Sequence, residues 1–99
     1  MSAEAANMVI LAAADNVGIA LRDIAAGCRA RTIAGRDVDA LEAIPQGHKI
    51  ALRDIGAGEP VLRLGMPVAV ATAPIPRGRL VHVHNVRSRY LDNDEDHYE

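Results

Sequence analysis

Residues 20–27 read Ala-Leu-Arg-Asp-Ile-Ala-Ala-Gly, and residues 51–58 read Ala-Leu-Arg-Asp-Ile-Gly-Ala-Gly. The two segments are identical at seven of eight positions and lie 31 residues apart. The same offset aligns Ile-Pro-Gln-Gly at residues 44–47 with Ile-Pro-Arg-Gly at residues 75–78. Because one offset relates two separate pairs of segments, we predict an internal duplication into two pseudo-symmetric halves.

The motif Ile-x-x-Gly closes each of these four segments and predicts a tight turn. Its isoleucine is expected to bury a side chain beside a strand, and its glycine supplies a backbone conformation that strains other residues. Short extended segments separate the turns, most clearly at residues 66–71 and 80–86, where β-branched residues alternate. Further strands are predicted at residues 8–13, 17–22, 48–53 and 60–64. The predicted fold class is all-β.

Composition excludes several classes of function. The 99 residues include no Phe or Trp and only two Tyr, which disfavours a stacking platform for single-stranded nucleic acid. A formal net charge of −2 gives no general basic surface for DNA or RNA. The single cysteine, Cys28, excludes an internal disulfide and a thiolate zinc cluster. No apolar run approaches the ~20 residues of a membrane span, and the first residues lack a basic signal, so we expect a cytoplasmic protein.

Charge predicts the limits of the domain. Residues 92–99 hold five carboxylates and no Lys or Arg, whereas residues 1–91 hold 11 bases and 8 acids. An acidic end of this kind is typical of a solvated tail. We therefore expect a flexible N-terminus at residues 1–7, one folded domain at residues 8–87 and an acidic, disordered tail at residues 88–99.

The residues that carry the turns also resemble a known family. The segment Gly-His-Lys-Ile-Ala-Leu-Arg-Asp-Ile at 47–55, Gly-Glu-Pro-Val at 58–61 and His-Val-His-Asn-Val at 82–86 look like the SAF domain. More narrowly, they resemble its version at the N-terminus of altronate and galactarate dehydratases. The resemblance covers residues 8–87 and implies a β-clip fold, in which two-stranded ribbons fold over on themselves.

The resemblance also implies a function. In the fused dehydratases a much larger catalytic region follows the His-x-His-Asn segment, whereas here an acidic tail follows it. Split altronate dehydratases and sulfolactate sulfo-lyases are similar in having a small SAF subunit and a separate large subunit. We therefore expect the small subunit of a carbon–oxygen or carbon–sulfur lyase that acts on sugar acids or related hydroxy acids. The implied cofactor is a divalent metal, Fe²⁺ or Mn²⁺, shared with the large subunit. The alternatives are a stand-alone SAF binding module or an assembly domain that forms homo-oligomers through its ribbon edges.

Two histidines are the first candidates for chemistry. If residues 80–86 form one strand, His82 and His84 share a face while Val81 and Val83 enter the core. Two imidazoles at this spacing can bind one divalent metal, or one can bind it while the other acts as a base. We predict that both are catalytic or metal-binding. The alternative is a pair of solvated histidines.

The predicted substrate-binding residues are His48, Lys49, Asn85 and Asp15. The duplication aligns His48 and Lys49 with an arginine and a leucine, so the fold itself requires neither, which favours a role in function. A cation there can polarise a carboxylate or stabilise the negative charge that develops during elimination. The alternatives are a solvated pair at 48–49, and an Asp15 and an Asn85 that only accept local backbone hydrogen bonds.

The duplicated Arg-Asp pairs at residues 22–23 and 53–54 are predicted to be structural. Residues that recur with the fold are expected to serve it, for instance through an aspartate that caps a turn and an arginine that lies over the ribbon.

Overall fold

The computed structural model describes residues 5–88, and all the regular secondary structure in this range is β-strand. The predicted all-β class is therefore confirmed. Of the predicted flanking segments, residues 1–4 and 89–99 lie outside the described range. No helix of the described residues is long and apolar enough to cross a membrane. The strands are β1 (Met8–Val9), β2 (Val17–Ala20), β3 (Arg29–Arg31), β4 (Asp37–Asp39), β5 (Lys49–Ala51), β6 (Pro60–Arg63), β7 (Met66–Ala71), β8 (Leu80–Val81) and β9 (Val86–Ser88).

The strands form three antiparallel sheets. The order is β1-β2-β5-β8 in the first, β3-β4 in the second and β6-β7-β9 in the third. Strand β5 of the second half lies between β2 of the first half and β8, so the two halves interlock in one sheet.

The backbone hydrogen bonds reproduce the duplication. Ile24 forms an isolated antiparallel bridge with Ile44, and Ile55 forms the equivalent bridge with Ile75. In the bridge and turn region, most backbone hydrogen bonds of the first half recur in the second half 31 residues later, as in the donation from the Gly27 amide to the Ala40 carbonyl at 2.8 Å. The Ile-x-x-Gly motifs therefore build two facing pairs of turns, as a duplicated β-clip requires.

Two buried clusters form the core, and they too are related by the duplication. Seven positions of the first cluster correspond to seven of the second at the same offset. Val17, from the first half, belongs to the second cluster, and Leu52, from the second half, belongs to the first. Each core therefore includes a residue of the other half. The equivalent pairs are Ala20 and Ala51, Ile24 and Ile55, Ala30 and Val61, Val38 and Ala69, Ala40 and Ala71, Ile44 and Ile75, and Ile50 and Val81.

The strand predicted at residues 80–86 is wrong in its second part. Strand β8 ends at Val81 and residues 82–85 form a turn, so Val83 is 78% exposed and does not enter the core. The side chain of Asn85 explains the turn, because its Oδ1 accepts a hydrogen bond from the His82 amide and its Nδ2 donates to the Leu80 carbonyl. Such local bonds compete with a sheet ladder. The strand at 8–13 is also shorter than predicted and consists of Met8–Val9.

The duplicated aspartates have the structural role that the repeat predicts. Asp23 accepts a hydrogen bond from the Gln46 amide at 2.8 Å, and Asp54 accepts one from the Arg77 amide at 2.8 Å. Asp23 therefore caps the turn at residues 44–47, and Asp54 caps the equivalent turn at residues 75–78. This arrangement ties the two members of each turn pair together.

Candidate functional site

A groove of about 750 Å³ lies between the four-stranded and the three-stranded sheet. Its lining includes apolar side chains from both sheets, among them the buried Val61 and Val81. Basic side chains stand along it, namely Lys49 from β5, Arg63 from β6, Arg87 from β9 and the imidazole of His82. The described residues that line the groove include no carboxylate. The arrangement suits a small anion with a carbon skeleton.

The distribution of acids explains why the groove is basic. Residues 60–88 contain four arginines and two histidines but neither Asp nor Glu. The carboxylates of residues 5–59 bind backbone amides or arginines of the scaffold: Asp15, Asp23, Glu42, Asp54 and Glu59 accept from amides, and Asp37 and Asp39 pair with Arg29. We did not predict Arg63 from the sequence, although the acid-free run that contains it was a visible signal.

His48 and His82 are brought together by strand pairing. In the antiparallel register of β5 and β8, Lys49 is opposite Val81, so the residues that precede β5 and follow β8 become neighbours. The two imidazole rings lie 4.6 Å apart between centroids and are tilted by 56°. The Nδ1 atom of His48 lies 3.4 Å from the Gln46 carbonyl oxygen. The site therefore pairs His82 with His48, a residue from another segment.

The expected alignment of His82 with His84 on one strand face is wrong, because both lie in the turn that follows β8. His84 is exposed and does not line the groove. Within residues 5–88, no three His, Cys, Asp or Glu side chains lie close enough together to hold a metal ion. These residues alone do not fit a metal centre, since two imidazoles leave most of the coordination sphere to be filled from elsewhere.

Asp15 and Asn85 serve the scaffold. Asp15 is only 4% exposed, and its carboxylate accepts hydrogen bonds from the amides of Gly65 at 2.7 Å, Leu64 at 3.0 Å and Ala12 at 3.1 Å. Asn85 is half-buried and closes the turn that holds His82. The substrate-binding roles of both residues stay predictions, and this geometry gives each of them backbone partners.

Comparison with known proteins identifies the fold family. A model described as the altronate/galactarate dehydratase SAF domain matches residues 6–89. The chain belongs to this SAF-domain family. The match covers both halves of the duplication together with the His82–Asn85 turn.

The SAF domain is similar to parts of much longer enzymes. It is 38% identical to the altronate dehydratase of Escherichia coli over 87 residues. This aligned segment is 88% of this chain and 17% of that protein. It is 42% identical over 64 residues to the galactarate dehydratase (L-threo-forming) of the same organism, covering 65% of this chain and 12% of that protein. The chain thus spans less than a fifth of these dehydratases.

A third relative is close to the SAF domain in length. The (2R)-sulfolactate sulfo-lyase subunit alpha of Chromohalobacter salexigens is 40% identical over 48 residues, which are 48% of this chain and 51% of that subunit. In the named relatives, SAF sequence therefore occurs both within a long dehydratase and in a short subunit.

Proposed function

We propose that this SAF domain is the small subunit of a two-component lyase that removes water or sulfite from sugar acids or related hydroxy acids. Membership of the SAF family and the relative named as a subunit support this role. The observation that carries the proposal is the imidazole of His82 in a basic groove, with the ring of His48 4.6 Å away from it. A larger catalytic polypeptide would complete the site.

The residues of the groove suit an elimination. In this reaction the proton on the carbon beside the carboxylate moves to a base, and the leaving group departs from the neighbouring carbon, a hydroxyl leaving as water after it accepts a proton. A neutral imidazole accepts a proton and a protonated one donates it, so His48 and His82 can move protons on one side of the substrate. Lys49 offsets the negative charge that develops on the carboxylate side.

The divalent metal implied by the family resemblance, Fe²⁺ or Mn²⁺, would act as a Lewis acid on the carboxylate and hydroxyl oxygens. Most of its ligands would have to come from the larger polypeptide. Ligation by His82 or His84 stays a prediction.

The test is reconstitution of the lyase from its own host. We expect the tagged chain to recover a larger lyase-like polypeptide, and the pair to convert altronate, galactarate or sulfolactate. His82→Ala is expected to lower kcat by about 10²-fold or more, the range of a lost proton-transfer group. Arg79→Ala, at an exposed residue outside the groove, is the control and is expected to change kcat less than threefold.

The outcomes are distinct. Recovery of no larger lyase-like polypeptide, or full turnover with His48 and His82 both replaced by alanine, would contradict the proposal. Binding of a sugar acid by a chain that has no lyase partner would favour the stand-alone binding module instead. Equal losses in the His82 and Arg79 variants would reject the His48–His82 pair as the working site.

A further inference from the structure

Lys49 and Arg63 of the groove differ from four arginines whose side chains bind other parts of the scaffold. Arg29 pairs with Asp37 and Asp39, and Arg53 pairs with Glu59. Arg22 and Arg77 donate to backbone carbonyl oxygens. Within the part of the chain that the structure describes, the side chains of Lys49 and Arg63 have no such hydrogen-bond or ion-pair partner. A guanidinium and an ammonium that line a groove without partners are available to a bound anion.

Arg63 is held in place although its side chain has no partner among residues 5–88. It is the last residue of β6, and the next two residues, Leu64 and Gly65, donate their amides to the buried carboxylate of Asp15. Leu64 has a φ of 55°, a left-handed conformation that a leucine rarely adopts. The hydrogen bonds to Asp15 hold this turn, and the turn fixes the backbone from which Arg63 reaches the groove.

We propose that Arg63 is a binding residue for a carboxylate of a small hydroxy acid and that it acts together with Lys49. A planar guanidinium matches a carboxylate with two parallel hydrogen bonds, whereas an ammonium acts as a point charge. The apolar lining around Val61 and Val81 then faces the carbon skeleton, and His82 lines the same groove. This inference rests on the proposed function and adds to it the residue that selects an acid over a neutral polyol.

The probes are galactarate and galactitol, which have the same carbon chain and the same central hydroxyls but differ in charge. The full chain is titrated with each, and amide chemical shifts are followed by NMR. We expect galactarate to shift the amides of the groove around residues 61–64 and 81–83, and galactitol to leave them unchanged. Arg63→Gln is expected to weaken the apparent affinity for galactarate about tenfold, the scale of a charge-assisted hydrogen bond.

The matched control is Arg79→Gln. Arg79 is also exposed, its side chain has no partner among the described residues, and it does not line the groove. This variant is expected to bind galactarate like the wild type. Equal loss in both variants, equal shifts with galactitol, or no shifts at 50 mM galactarate would overturn the inference. Inorganic phosphate is the third probe, and groove shifts with phosphate at lower concentration than with galactarate would assign the site to phosphate and overturn the carboxylate proposal.

This experiment separates the inference from the proposed function. Suppose that the Arg63→Gln variant binds galactarate normally and that the wild-type chain supports turnover in the reconstituted lyase. In that case only the role of Arg63 fails. If the chain binds galactarate through Arg63 but no lyase partner exists, only the proposed function fails. In the reconstituted lyase, Arg63→Gln is expected to raise KM more than it lowers kcat, since Arg63 contacts the ground-state carboxylate.

Discussion

Gly47 and Gly78 occupy equivalent positions in the two halves but have different surroundings. Both have positive φ, 84° and 92°, so a Cβ at either position strains the backbone. A Cβ at Gly47 would meet nothing within 4 Å, whereas one at Gly78 would collide with the Asp39 carbonyl oxygen. We predict that Gly47→Ala costs about 1–2 kcal/mol, the usual strain of a left-handed residue, and that Gly78→Ala costs at least ~1 kcal/mol more.

Urea unfolding of the two variants measures this difference. The comparison is internal, because the same substitution is made in the same motif of a duplicated sequence. Equal losses of stability would mean that the contact between the Gly78 turn and Asp39 relaxes without cost.

For the candidate site, single residues could be singled out from the sequence, but their neighbours in space could not. His48 and Lys49 were identifiable because the duplication does not require them, and both lie at or beside the groove. The pairing of His48 with His82 was not, since it depends on the register of β5 and β8, which neither segment encodes alone. The substrate-binding role of Asp15 stays a prediction, because a turn aspartate and a substrate-facing one have the same sequence signal.

At the scale of the elements, the aspartate caps that join facing turns are the most direct product of the repeat. Asp23→Ala removes the bond to the Gln46 amide, and Asp54→Ala removes the equivalent bond to the Arg77 amide. Both bonds are exposed, so we predict losses of about 1 kcal/mol each and of similar size. Thermal unfolding should show a fall in Tm of roughly 4–8 °C for each variant.

The control for the caps is Asp39→Ala, which breaks a surface ion pair with Arg29. Exposed pairs of this kind contribute little, so its loss is expected to stay below about 0.5 kcal/mol. A loss as large as that of the cap variants would show that the duplicated aspartates have no special role in the turns.

The strand boundaries separate what periodicity can predict from what it cannot. Residues 66–71 were predicted as a strand and form β7, because β-branched side chains alternate without a local competitor. Residues 80–86 show the same alternation, yet the side chain of Asn85 binds the backbone at Leu80 and His82 and turns the chain. A hydrophobic pattern gives no information on such a bond.

At the scale of the whole molecule, the duplication predicted the architecture better than any single element did. Two equivalent bridges, two hairpins and two clusters of core residues follow from one offset. The interlocking of the halves was not predictable, because the repeat does not specify whether β5 pairs within its own half or with β2. The groove between the sheets depends on this choice, which is why Arg63 could not be placed in the same groove as Lys49 from the sequence.

Interlocking predicts that the two cores unfold as one unit. Ile24 and Ile55 are equivalent and 2% and 1% exposed, and alanine at either position is expected to cost about 2–5 kcal/mol. The amides of Ile44 and Ile75, which donate to Ile24 and Ile55, report the stability of the first and second core in hydrogen exchange. Because β5 joins both cores, Ile24→Ala should lower the exchange free energies of the Ile44 and Ile75 amides equally.

The reciprocal variant and a surface variant make this prediction testable. Ile55→Ala should again lower both amides together, and Ile33→Ala, at a residue that is 96% exposed, should change neither by more than about 0.5 kcal/mol. If Ile24→Ala weakens the Ile44 amide and leaves the Ile75 amide at its wild-type value, the halves unfold separately. The groove between the sheets would then lose its rigid frame whenever one half opened, and a site that needs Lys49 and Arg63 at fixed positions would be harder to maintain.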